Sequence, residues 1–181
     1  MPTWGEFPAA RPELAAAGRQ LLYQFGVGLA FLATVKRDGG PRLHPICPVV
    51  VDEGLYAVII PSPKLGDLAR DGRFALHAYE PPDNDDAFYV TGQAEPRRDP
   101  GLPRSIADAY HAERNALEAP AFATHELFEL LIDACLQTGT AGHADPDARH
   151  TVWRAEGSKA LPSPCGSPRS RRPRSSRSRR R

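Results

Sequence analysis

Residues 42–51 (RLHPICPVVV) have strand composition, yet they contain Pro45 and Pro48 and follow directly on Pro41. Proline has no N–H to give to a ladder, so it is confined to edge strands, strand starts and bulges. A strand built this way is an edge, or is bulged, or faces something other than a neighbouring strand. It is the return arm of a hairpin. Residues 29–35 (LAFLATV) are the mostly apolar outgoing arm, and Asp38-Gly39-Gly40 supplies the positive φ that a tight turn requires.

Around this hairpin, short apolar runs alternate with turn signals. Residues 9–24 are Ala/Leu-rich and read as a helix ended by Gly26 and Gly28. Asp52-Glu53-Gly54 turns into a third strand, 55–60, which gives way to Pro61-Ser62-Pro63-Lys64 and a short helix over 64–70. Ser62 and Asp67 suit a helix start, and Lys64 sits in or beside the first turn. Free backbone N–H groups, a hydroxyl and an ammonium converge there, which suits a phosphate; a capped helix with a surface lysine is the ordinary reading of the same residues.

Further strands are expected over 73–79, with His77 in it, over 87–95 and over 151–155, and a helix over 104–117. Residues 126–137 (ELFELLIDACLQ) are ambiguous. Phe128, Leu130, Ile132, Ala134 and Leu136 fit period two without a break, while Glu126, Glu129, Asp133 and Gln137 make a polar stripe at helical spacing, and pattern alone slightly favours a helix. Six short strands, a leading hairpin and a small helix after the third strand indicate a compact β-barrel.

Charge divides the chain. Residues 169–181 hold eight arginines and no acid, so the preceding 168 residues carry 15 basic and 22 acidic groups, a net charge of −7. An acidic body is a poor partner for nucleic acid. The segment 157–181 is rich in Ser, Pro and Arg, cannot bury apolar surface and is expected to be a disordered tail behind a domain spanning 1–156. It reads either as a polyanion-binding tail or as an accidental extension from a shifted reading frame. Cys47, Cys135 and Cys165 show no paired spacing, which points to a reducing compartment. No signal peptide or membrane-length apolar run is evident, so a soluble cytoplasmic protein is expected. The histidines show no HExxH or i,i+4 pair and imply no metal. Cys47 reads as a small buried strand residue, and Asp83, Asp85 and Asp86 as solvated loop carboxylates.

The segments FLATVKRDGGPRLHPICPVV, SPKLGDLARDGRFAL, FYVTGQAE, LFELLID and HTVWRA, in this order and spacing, resemble the pyridoxamine 5′-phosphate oxidase-like family over about residues 20–155. The resemblance implies a mainly β fold with flanking helices, a split β-barrel of six to seven strands. It makes 126–137 a strand. It also implies a homodimer that binds FMN, or F420 in a sister branch, between subunits. Ser62 and Lys64 match the family's phosphate-binding Ser-x-Lys. Arg42, Leu43, His44 and Pro45 match the strand bordering the flavin, Ile60 and Pro61 the strand end beneath it, and Trp153 an aromatic near cofactor or partner. Residues 150–154 lack the Arg-x-His of the true oxidases, and Pro63 stands where a second cation would precede Lys64, so vitamin B6 oxidation is not implied. The expected function is FMN-dependent oxidoreduction of a small molecule. Alternatives are an F420-dependent reductase, or a flavin-binding protein without turnover.

Overall fold

The computed structural model describes residues 1–114 and 124–156. The expected tail over 157–181, and residues 115–117 of the expected helix, lie outside them. Two helices open the chain, α1 (Glu6–Ala10) and α2 (Pro12–Leu22). Then come β1 (Ala30–Val35), β2 (Pro41–Ile46), β3 (Val49–Val51), β4 (Gly54–Ile59), α3 (Pro63–Arg70), β5 (Arg73–Ala78), β6 (Ala87–Pro96), α4 (Leu102–Arg114), β7 (Glu126–Gly139) and β8 (Arg149–Arg154). Among the described residues, no helix is long and apolar enough to cross a membrane.

The proline-bearing stretch closes the fold. The strands form one antiparallel sheet in the order β2-β1-β5-β6-β7-β4-β3, with β8 added beside β7. β2 and β3 occupy opposite ends of that order, yet only Cys47 and Pro48 separate them in sequence. The two ends of the sheet must therefore meet, and the sheet curls into a split barrel. Pro41 and Pro45 share one parity on an edge strand, so both can sit where an N–H would face away from β1. Among the described residues the curl runs through seven strands with β8 added outside that path, and the break leaves Cys47 exposed rather than buried in a strand. The hairpin turn forms as its residues dictate: Gly39 has φ +83°, and the Gly40 N–H donates to Asp38 Oδ1 at 3.0 Å.

The core lies inside the curl. Phe7 of α1 and Leu14 and Leu22 of α2 plug it against Leu32, Leu76 and Phe88. A second cluster, Val49, Val51, Tyr56, Leu127 and Ile106, seats α4 on β3 and β4. β7 resolves the ambiguity over 126–137 as a strand. Its residues Leu127–Ile132 are buried without alternation because both faces are covered. The helical stripe was a coincidence of cross-strand partners: Glu129 is paired to Arg97, and Asp133 accepts from Thr91.

The period-two run is not continuous either. Thr91 pairs with Ala134 and Gly92 with Ile132, so Asp133 is an extra residue in a bulge. Beyond it the inward position passes to Cys135, which is buried, while Ala134 and Leu136 turn to the other face. Gly92 makes the bulge possible, since a Cβ there would lie 1.7 Å from the Leu131 carbonyl oxygen. The obstacle is backbone and cannot swing aside. Gly92→Ala is expected to destabilise the protein by about 1–3 kcal/mol, the usual cost of overpacking, read as a lower urea midpoint.

Of the loop carboxylates, Asp83 and Asp85 are exposed, and Asp85 and Asp86 also hold hydrogen bonds. Asp85 accepts from the Ala144 N–H at 2.6 Å and lies 2.7 Å from His143 Nδ1, and Asp86 accepts from the Thr140 N–H at 2.6 Å. They tie the β5–β6 loop to the β7–β8 loop.

Candidate functional site

The site begins where β4 runs out. Ile60 is half exposed and Pro61 exposed, and Ser62 enters α3 as an extended N-cap (φ −168°). Ser62 does not cap the helix with its side chain: the hydroxyl donates back to the Ile60 carbonyl at 2.8 Å. Pro63 at N1 removes one of the orphan donors, and the Leu65 N–H is bonded to the Ser62 carbonyl at 3.0 Å. The helix end is thus a thinner anion cradle than the sequence suggested. Lys64 supplies its cation, and among the described residues its ammonium has no carboxylate partner.

What fixes this helix is a residue that sequence reasoning did not place in the site. Asp67 is buried, and it accepts from Arg42 Nε at 2.6 Å and from Thr34 Oγ1 at 3.1 Å. Arg70, one turn on, lies 3.4 Å from the same carboxylate and also donates to the Val35 carbonyl. Thr34 and Arg42 are register partners on β1 and β2. One carboxylate therefore clips α3 to the stem of the hairpin. Burial pushes the Asp67 carboxyl up, but the bonds from Arg42, Thr34 and Arg70 outweigh it and hold it below the ordinary carboxylate range.

Alternation along β2 divides its candidates. Arg42 and His44 share the face of Thr34 and Leu32, and Leu43 and Pro45 share the opposite face with Ala33 and Phe31. A single ligand can reach both sets only along the free edge of β2. His44 is the unsettled member. Its Nε2 is buried and has no hydrogen-bond partner. Burial first, then Lys64 and Arg42, push its pKa down, with Asp67 offsetting them in part.

The structure thus brings Arg42, His44 and Lys64 into one electrostatic neighbourhood at the start of α3. Leu43, 63% exposed, faces outward. Trp153 packs its ring on Phe7 with centroids 5.0 Å apart and lies partly buried against the core. A groove of about 660 Å³ opens on the other side of α3, lined by Leu65, Arg70, Gln93, Glu95, Arg98 and Phe128 among others, but not by Arg42, His44, Ser62 or Lys64.

No protein-family model matches the sequence, and no curated protein matches it. Solved structures do. The heme-binding protein from Mycobacterium smegmatis superposes with a TM-score of 0.58 at 16% identity, over 77% of this chain and 57% of that one. The chain therefore spans little more than half of that protein's length. A protein assigned as a pyridoxamine 5′-phosphate oxidase, from Listeria innocua, gives 0.52 at 14% identity over 65% of this chain and 91% of that one. An F420 reductase gives 0.52 at 20% identity over 64% and 94%. These are split-barrel proteins, and the chain has their fold.

Proposed function

We propose that this split-barrel protein binds FMN at the start of α3 and along the free edge of β2, and that it carries out oxidoreduction of a small molecule there. The observation that carries the reading is Lys64, a cation at a helix start with no carboxylate partner among the described residues, in the same electrostatic neighbourhood as a buried, unpartnered His44 nitrogen. Both defects are mended by a phosphate. The residues fit the group. Lys64 with its own N–H would hold the phosphate, and the Ser62 hydroxyl could join by releasing the Ile60 carbonyl. Arg42 stays on Asp67 and contributes field rather than a free fork. Leu43, His44, Pro45, Ile60 and Pro61 border the ring system. Trp153, partly buried against Phe7, would lie near the cofactor or the partner subunit.

When bound, FMN supplies the hydride or electron chemistry. The polypeptide supplies position and charge, and no acid–base side chain is assigned. The spectrum of the protein purified without added cofactor tests the reading. A flavin spectrum supports it. The single-banded deazaflavin spectrum would make the cofactor F420, and an intense Soret band would make it heme.

The reading includes a homodimer. Register places Pro45, Phe31, His77, Tyr89, Leu136 and Val152 in one row across six strands on the outer face. Phe31 is 38% exposed and Val152 51%, and Phe31 stacks on Tyr79 at 4.4 Å. A largely apolar and aromatic row on a barrel exterior, interrupted only by His77, is a surface that a second copy would cover. The full chain is expected to elute at twice its monomer mass, and Phe31→Asp to shift it toward monomer. A parent monomer that holds flavin would contradict the shared cleft.

A further inference from the structure

We propose that His44 takes up a proton when the site receives the cofactor's phosphate, so that FMN binding tightens as pH falls. This rests on the reading that Lys64 and its neighbours hold that phosphate. The observation is geometric. His44 lies two residues from Arg42 on the same face of β2, opposite Leu32, and its Nε2 is enclosed with no acceptor or donor in reach.

The charged groups that face it are Lys64 and Asp67 from α3 and Arg42 from its own strand. Its β1 neighbours on that face, Leu32 and Thr34, carry no charge. Asp67 is committed to Arg42, Thr34 and Arg70, so the field left over at the imidazole is positive. Burial of Nε2 and that field both push the imidazole pKa down. A buried nitrogen that finds no partner inside the protein is a place for an external one.

A phosphate dianion reverses both conditions. It cancels the field of Lys64, and it offers Nε2–H a charged acceptor. Protonation of His44 then becomes more favourable in the complex than in the free protein. Linkage makes the effect reciprocal: a group whose pKa rises on binding makes binding tighter as pH falls through the raised pKa. The usable window lies between about pH 8 and the second ionisation of a phosphate monoester near about pH 6, below which the ligand itself loses charge.

The test is FMN titration of the full chain, followed by flavin fluorescence, at several pH values across that window. The parent is expected to bind tighter toward low pH, with a limiting slope of about tenfold per pH unit for one proton. His44→Gln, which keeps a hydrogen-bonding side chain but cannot titrate, is expected to show a flat profile whatever its absolute affinity. Riboflavin, which lacks the phosphate, should show no such slope with the parent. A flat parent profile overturns the proposal without recourse to any variant, and so does a slope retained in His44→Gln. In both cases FMN binding that is still weakened by Lys64→Ala leaves the phosphate reading intact. FMN binding indifferent to Lys64→Ala overturns that reading, and this proposal with it.

Discussion

Asp67→Ala is expected to destabilise the protein by about 3 kcal/mol, the lower end of the cost of breaking a buried ion pair. The lower end applies because the two arginines it holds, Arg42 and Arg70, keep 30% and 35% of their side chains exposed and recover some hydration. The buried Thr34 hydroxyl loses its acceptor as well. Asp67→Asn retains an acceptor and should cost less. The same carboxylate gives a pH signature. Its folded-state pKa lies below the ordinary value of 3.8. Its contribution is therefore complete above that value and is lost as pH falls through it toward the folded-state pKa. Acid denaturation followed by tryptophan fluorescence should show this loss in the parent and a flatter dependence in Asp67→Asn. Equal stability of parent and Asp67→Ala at neutral pH would mean that α3 is held by Leu68 packing alone.

Lys64→Ala is expected to weaken FMN binding roughly ten- to hundredfold, since a charge-assisted contact contributes about 1.5–3 kcal/mol. Folding should be unaffected, because Lys64 makes no hydrogen bond or ion pair among the described residues and is not in the core. Ser62→Ala should cost less, since the Ser62 hydroxyl already has a partner in the Ile60 carbonyl. Arg42→Ala behaves differently from both. It leaves Asp67 short of its nearest cation, so it should lower stability along with affinity. Titration of FMN into the three variants, paired with urea midpoints, separates the two effects.

The barrel was legible in the residues that forbid alternatives. Pro45 and Pro48 demanded an edge, a bulge or a face without a neighbouring strand, and the fold sets β2 at one end of the sheet and breaks the stretch at the Cys47-Pro48 joint. Asp38-Gly39 placed the hairpin turn, and a local backbone requirement of this kind can be read directly from sequence. The loop that leads into α3 was legible for the same reason, being a strand end, prolines, a serine and a lysine in one short run.

Asp67 was not. Its position suggested a helix start, but its partners Arg42 and Thr34 lie 25 and 33 residues away, and their meeting depends on the curl of the sheet. The only local trace was Arg70 at i+3. The bulge at Asp133 was hidden for a different reason. Ala134 and Leu136 continue the apolar alternation beyond the register change, so the sequence shows no break where the strand turns its faces over. Asp85 is exposed as expected, but its partners His143 and Ala144 could not be read, because they come from a loop almost sixty residues on, with separations of 58 and 59.

Titrating FMN and riboflavin side by side into the apo-protein is the measurement that bears most directly on the site. The two share the ring and the ribityl chain and differ in the phosphate. If Lys64 and the start of α3 read that phosphate, FMN should bind tighter by roughly a hundredfold or more, the sum of one charge-assisted contact and the helix-end donors. Equal affinity for the two would contradict a phosphate site at Lys64.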